Sequence, residues 1–323
     1  MIPYKRYFSL AAGLLAALVY GGLTRLIFAQ DSQIIGTLSI SFIVLVPPVL
    51  GFLTVIFAAP EQKKSWKFFI FVPWLSCGLC MLLAAIFLLE AWFCVALAAP
   101  LWLALASAGG AVAALVSRLA QKRESNDIIS GALLLFTLTP FLFVPLERLL
   151  PLQPETRTVH SQIEIAAPPA IIWRNITDLR RIGPAEQRES LFHLAGLPRP
   201  LEAQMACQQI GCVRRGSWES GLAFEGSITR IVPGQSYWLD LRADTRNVQS
   251  SGAPLSQIGG DAFAMLDDGY ELADAGGGRS VLHLYSTYRL TTRINAYGTF
   301  WTDLMLRDIQ AYILAVEKAR SES

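Results

Sequence analysis

Five apolar runs crowd the first 150 residues, and no other feature restricts the architecture of this chain as strongly. They cover approximately Tyr7–Phe28, Ile34–Ala59, Trp66–Leu89, Ala91–Val116 and Ile128–Leu146. A hydrocarbon core of about 30 Å takes roughly 20 helical residues to cross, so each run is long enough to span one. The third and fourth are separated by little more than Glu90 and should form a tight hairpin. Prolines at 47, 48, 73, 100, 140 and 145 fall inside spans or at their ends. A bundle tolerates them, because neighbouring helices satisfy the freed carbonyls. The chain as a whole is 53% hydrophobic and 16% charged, too apolar for an ordinary soluble protein, and the excess lies before residue 150.

Lys and Arg placement gives an orientation. Lys5 and Arg6 precede the first span; Lys63, Lys64 and Lys67 lie between the second and third; Arg118, Lys122 and Arg123 lie between the fourth and fifth. The intervening loops, Ala29–Gln33 and the Glu90 turn, carry no cation. The positive-inside rule then puts the N-terminus in the cytoplasm, and five crossings send everything after Leu150 to the other side. In a bacterial host this is an inner-membrane, multi-pass protein with a periplasmic C-terminal domain. The first span is not read as a cleaved signal peptide: its apolar run exceeds an h-region, and Ile27-Phe28-Ala29 is a poor cleavage site.

The spans read as an anchor. Arg25, Glu90, Glu147 and Arg148 sit at span ends, where snorkelling accounts for them, and no charge is left mid-span to mark an ion or substrate path. Ala106, Gly110 and Ala114 form a small-residue stripe suited to close helix contact. Cys77 and Cys80 have CxxC spacing, but on an apolar span they read as small core residues.

From residue 149 onward 17 Lys and Arg face 19 Asp and Glu, scattered rather than clustered. No basic stripe is available to neutralise a phosphate backbone, so nucleic acid is not an expected partner. Thr158–Ala166 alternates as a strand does, and Pro168-Pro169 suits the first turn of a helix continuing through AIIWRNITDL. A Pro- and Gly-punctuated stretch, Gly183–Gly211, follows. Strand-like runs resume at Cys212–Glu219, Leu222–Val232, Tyr237–Ala243, Ala264–Leu272 and Ser280–Thr291, with a long polar loop at Asp244–Asp261. A long helix over Asn295 to about Arg320 closes the chain. On it Tyr297, Trp301, Leu304, Met305, Ile309, Tyr312 and Val316 fall on one apolar arc, with Thr299, Thr302, Asp303, Arg307, Gln310 and Lys318 mostly opposite.

This order of elements resembles the START-like superfamily, also called the helix-grip or polyketide-cyclase (SRPBCC) fold. The resemblance is carried by IEIAAPPAIIWRNITDL, by VRRGSWESGLAFEGSITRIVPG, and by GYELADAGGGRSVLHLYSTYRL with the final helix. It covers roughly residues 157–320. AGLPRP, RADT and WTDLMLRDIQAYIL look like a bacterial membrane-anchored, cyclase/dehydrase-like branch. The resemblance implies a curved antiparallel sheet gripping the long C-terminal helix around an apolar cavity. The expected chain is therefore an all-α transmembrane bundle of about five helices at 1–150, followed by an α+β helix-grip domain at 155–323.

Tyr297, Trp301, Met305 and Tyr312 are candidates for the cavity wall, with solid core packing as the alternative. Asp308 breaks the apolar arc. It either meets a ligand hydroxyl or works as an acid or base, or it pairs with an arginine such as Arg215 or Arg289, or it caps a nearby loop. Tyr285 and His283 share a strand face that could meet the pocket or solvent, and Tyr285 joins the candidate ligand contacts on the first alternative. Three His with no HExxH leave no metal site and no cofactor to expect, and there is no GxSxG. Cys207 and Cys212 can close a small disulfide loop in an oxidising compartment. Three functions fit: a tethered binder of a lipid or other apolar small molecule, with the Asp244–Asp261 loop as lid; an enzyme of cyclase, dehydratase or hydrolase type with Asp308 and Tyr285 or His283 as acid/base groups; or an envelope interaction module.

Overall fold

The computed structural model describes residues 3–29, 38–59, 62–188, 190–249 and 255–323. It divides into two compact units: Met1–Leu152 with Thr292–Ile294, and Gln153–Thr291 with Asn295–Ser323.

The first unit is helical: α1 (Pro3–Ala29), α2 (Ile40–Ile43), α3 (Val46–Ile56), α4 (Trp66–Ile86), α5 (Trp92–Arg123) and α6 (Asp127–Leu149). Four of these are long and apolar enough to cross a membrane. The second apolar run differs from expectation. Its residues 34–37 lie outside the described residues, and the rest breaks into α2 and α3 because Pro47 and Pro48 cannot donate backbone hydrogen bonds back to the preceding turn. Both prolines instead occupy the first turn of α3, where an N–H would go unused.

α3 is buried almost along its whole length, so its neighbours enclose it. Close approach requires glycine at Gly51 and Gly109: a Cβ on Gly51 would fall 1.9 Å from the Ala106 carbonyl oxygen, and one on Gly109 would fall 1.8 Å from that of Pro48. The Thr54 hydroxyl lies 2.6 Å from that of Ser76 on α4, and Trp74 donates to Ser107 on α5 at 2.8 Å. Cys77, Cys80 and Cys94 are free thiols.

One charge departs from the span-end reading. Glu147 is buried, 4% exposed, and its carboxylate accepts from the backbone N–H groups of Ile40 and Ser41 and from the Ser41 hydroxyl. Arg293 Nε lies 3.7 Å away. Snorkelling does not describe a carboxylate that caps the first turn of α2 from inside the bundle.

The second unit is an eight-stranded sheet, antiparallel throughout, in the order β1-β8-β7-β6-β5-β4-β3-β2. The strands are β1 (Glu155–Ile165), β2 (Asp178–Leu179), β3 (Pro200–Met205), β4 (Val213–Trp218), β5 (Ala223–Val232), β6 (Ser236–Asp244), β7 (Phe263–Gly276) and β8 (Arg279–Leu290). Helix α7 (Pro169–Thr177) follows β1, the short α8 (Leu191–Leu194) precedes β3, and α9 (Asn295–Ser321) closes the chain. β3 was hidden in the punctuated stretch. Its Pro200 stands at the strand's first position, where a missing donor is tolerated. Gly276, Gly277 and Gly278 turn β7 into β8 with φ of 77°, 64° and 76°, a left-handed run that side chains disfavour.

Bulges at Ile228–Arg230, Met265–Asp267 and Asp274–Gly276 interrupt the ladders and help the sheet to curl. On its outer face one register row reads Arg230, Trp238, Gly269, Tyr285, His160. The Trp238 ring fills the space over Gly269, where a Cβ would come within 2.4 Å of it, and stacks on Tyr285 at 5.2 Å. Tyr285 stacks in turn on His160 at 4.4 Å. On the inner face Ile165, Ile172, Ile176, Tyr237, Leu282 and Leu314 form the centre of the core. The Tyr237 hydroxyl donates to the Ile176 carbonyl at 2.9 Å, so the buried phenol keeps a partner.

The face that α9 buries is only partly the apolar arc read from the sequence: Ile309, Tyr312 and Val316 of the arc are buried, and the rest of the buried face lies to one side of it. Thr299, Thr302, Leu306, Ile309, Gln310, Leu314 and Glu317 are buried, whereas Leu304 is 40% exposed. The buried stripe is turned by roughly a third of a circle about the helix axis. Polar partners on the sheet explain the rotation: Gln310 Nε2 donates to the Val159 carbonyl and to Ser286 Oγ. The Tyr288 hydroxyl, from the sheet side, donates to Asp303 at 2.7 Å.

Candidate ligand-binding cavity

Between α9 and the inner face of the sheet lies a cavity of about 110 Å³. A single buried water needs only ~10–15 Å³ on this measure, so the space is far larger than a solvent site. Leu239, Leu241, Leu284, Leu306 and Ile309 give it an aliphatic wall, and Trp218 and Phe224 add aromatic surface. Leu255 and Ile258, from the far end of the Asp244–Asp261 loop, also line it. Residues 250–254 of that loop lie outside the described residues.

Strand alternation selects the polar groups that enter this space. Arg214, Gly216 and Trp218 point inward from β4, leaving Val213 and Arg215 exposed. On β7 the bulge at Met265–Asp267 inserts one residue, so Met265 before it and Asp268 after it both face the cavity. Glu202 from β3, Ser286 from β8 and Gln310 from α9 complete the polar wall.

Arg214 and Asp268 retain some accessible surface yet are surrounded by protein, because the surface they show is the cavity's own. Burial pushes the Asp268 carboxyl up to about 7, against the opposing pull of a Ser286 hydrogen bond and of Arg214. Burial likewise pushes Glu317 up to about 7 and the Tyr270 hydroxyl up to about 12, with Arg214 opposing both. The guanidinium of Arg214 lies over the Tyr270 ring, 5.5 Å from its centroid. Arg214 Nε, Asp268 Oδ1 and Gln310 Oε1 are buried with no hydrogen-bond partner in the protein. A carboxyl that titrates near neutrality beside a fixed cation can hold, donate or accept a proton.

The residues singled out in the sequence are dispersed by the fold. Met305 lines the cavity; Tyr297, Trp301, Asp308, Tyr312 and Tyr285 are not among the lining residues. Tyr297 and Trp301 meet edge-on at 6.2 Å. Tyr312 packs with Leu179, Ile182, Ala203 and Val316, and meets His193 edge-on at 5.6 Å. Asp308 is half-buried on that side of α9, and neither Arg215 nor Arg289 pairs with it: Arg215 faces Glu225 and Asp244. Its charge acts on His193, whose imidazole is held below its ordinary value by burial and by Arg199, with Asp308 opposing. Tyr285 belongs to the outer row, opposite Leu284 and Ser286. Cys207 and Cys212 are joined by a disulfide. Among the described residues no group of three or more His, Cys, Asp or Glu is placed to hold a metal ion.

An antiparallel sheet curled around a long C-terminal helix, with strand β1 at one edge paired to β8, is the helix-grip arrangement. The second unit is START-like in fold. Similar solved structures include a START superfamily protein from Mycobacterium smegmatis, 10% identical, covering 51% of this chain and 97% of that one with a TM-score of 0.34. Another is the Zhui aromatase/cyclase from Streptomyces sp. R1128, at 12% identity, 51% and 94% coverage and a TM-score of 0.33. DynU16, from the dynemicin biosynthetic locus, is 12% identical with a TM-score of 0.31; the match covers 51% of this chain and 48% of DynU16. No family model and no curated protein matches the chain.

Proposed function

We propose that this is a membrane-anchored binding protein for a lipid-like or other apolar small molecule, taken into the START-like unit between α9 and the sheet. The observation that carries the reading is the cavity itself: an interior space with a mainly aliphatic and aromatic lining and a few placed polar groups, the usual composition of a small-molecule site. The apolar helices serve as tether; with α2 and α3 together counted as a fifth crossing, the N-terminus is cytoplasmic and the second unit is on the non-cytoplasmic side, periplasmic in a bacterium. The Cys207–Cys212 disulfide supports that side, since such bonds persist in oxidising compartments.

The test is to purify the full chain into nanodiscs of one synthetic lipid and extract them for mass spectrometry. A molecule present with the protein and missing from empty discs is the expected result. A clean extract that stays clean after incubation with a total lipid extract overturns the reading. Acid/base catalysis is a second reading, favoured by one observation, the near-neutral carboxyl of Asp268 inside the cavity. Turnover of the captured molecule that is lost in Asp268→Asn, with binding kept, would establish it.

A further inference from the structure

The chemistry inside the cavity restricts its occupant further. We infer that the ligand is an amphiphile whose buried end carries a single carboxylate, held by the guanidinium of Arg214, with its apolar body against the aliphatic wall. The inference rests on the binding reading above and names the ligand class for the same site.

Arg214 is the reason. A cation deep in a protein is normally paired, since its desolvation is uncompensated otherwise. Among the described residues no carboxylate lies within 4.0 Å of the Arg214 guanidinium, and its Nε is buried with no hydrogen-bond partner. Its neighbour is Tyr270, whose ring lies under the guanidinium carbon and whose hydroxyl interacts with it, a neutral partner that leaves the positive charge without a counter-ion. The N–H edge of a guanidinium is the part which binds a planar carboxylate through two parallel hydrogen bonds.

The neighbouring acids do not fill this role. Asp268 and Glu317 are the carboxyls whose charges act on Arg214 from β7 and α9, and both hold protons to about pH 7. Glu202, also on the lining, accepts from Ser217 Oγ at 3.3 Å. With a carboxylate on Arg214, a protonated Asp268 becomes a donor toward the ligand, and the shared proton removes repulsion between the two acids. Gln310 Oε1 is a further unused acceptor in a side chain that is 1% exposed. A phosphate head fits less well. Arg214 is the single cation among the lining residues described, whereas a phosphodiester or monoester beside two acids calls for more positive charge.

The experiment titrates the full chain in nanodiscs with decanoate, decanol and methyl decanoate at neutral pH, subtracting empty discs. Wild type is expected to bind decanoate at least about tenfold more tightly than either neutral probe, the scale of a charge-assisted hydrogen-bond pair. Arg214→Met should bind decanoate no better than decanol, and Arg214→Lys should keep part of the preference. Equal affinity of wild type for all three probes overturns the carboxylate assignment and leaves the binding reading standing, as does a preference that survives in Arg214→Met. Binding of none of the three by wild type overturns the carboxylate assignment and counts against the binding reading as well. The wild-type comparison decides even if a variant does not fold.

Discussion

Gln310 on α9 donates to Ser286 Oγ on β8 at 3.0 Å, from a position where the helix is fully buried against the sheet. The same Nε2 also donates to the Val159 carbonyl on β1 at 3.1 Å, so one amide joins the helix to two neighbouring strands. Gln310→Met keeps the volume and removes both bonds, leaving a buried carbonyl without its donor. A loss of about 1–3 kcal/mol is expected. The measurement is denaturant unfolding of the full chain in nanodiscs, followed through hydrogen exchange of the β1 and β8 amides. Unchanged protection would mean that the helix is held by its apolar contacts alone.

Gly269 and Trp238 give a second prediction. The indole lies where any side chain on Gly269 would go, so Gly269→Ala forces the ring aside and breaks its stack on Tyr285. Overpacking of this kind costs about 1–3 kcal/mol. Trp238→Leu should lose stability alone yet relieve most of the Gly269→Ala penalty. The four unfolding free energies therefore form a cycle with a large coupling term. Additive penalties would show that the two residues do not meet.

The buried acids set a pH dependence. Asp268 and Glu317 hold their protons to about 7 in the folded unit, against roughly 4 for ordinary carboxyls in an unfolded chain. The folded chain therefore binds more protons than the unfolded one between these values. Stability from this source is complete below about pH 4 and falls as pH rises toward 7. Glu186, held low by its Arg320 hydrogen bonds, and Asp244, held low by Arg246, have the opposite sign and act at lower pH, outside this window, whereas His193 and His283, held low chiefly by burial, oppose the fall inside it in wild type and variants alike. Asp268→Asn and Glu317→Gln should each flatten the fall measured from pH 4.5 to pH 7.5, a range of about three units. A slope unchanged in both variants would show that neither carboxyl is protonated in the fold.

Much of this architecture was legible in the sequence, because long apolar runs and period-two alternation are strong signals. Ser280–Thr291 and Leu222–Val232 alternate cleanly and are β8 and β5 with nearly those limits. The polar wall of the cavity was not legible, for physical reasons. Counting alternately along Ala264–Leu272 puts Asp268 on the face opposite Met265, and only the bulge brings them together. Arg214 and Arg215 stand side by side, and sequence does not say which one the strand turns inward. Gly216 and Trp218, at the same parity as Arg214, were the available hint. On α9 the apolar arc was a true pattern, but Thr299, Gln310 and Glu317 are buried instead of its Leu304, because the inner sheet face offers Gln310 its partners.

Glu147 supplies the last prediction, from the helical unit. Its carboxylate accepts from Ile40 N at 2.7 Å and from Ser41 N at 2.9 Å, two first-turn donors that no helical carbonyl can reach. The Ser41 hydroxyl and Arg293 lie on the same group. Glu147→Ala strands these donors and leaves the Arg293 charge without its partner, a loss of about 3–5 kcal/mol for a broken buried pair. Glu147→Gln should be milder, because one oxygen still accepts, although the new amide group opposes the second donor. Arg293→Gln should be milder again, since the contacts to Ile40 and Ser41 survive it. Hydrogen exchange at Ile40 and Ser41 in nanodiscs reads this order directly: fastest in Glu147→Ala, then Glu147→Gln, then Arg293→Gln, with wild type slowest. Exchange as slow in Glu147→Ala as in wild type would show that the short helix is held by the packing of Phe42 and Ile43 rather than by the carboxylate.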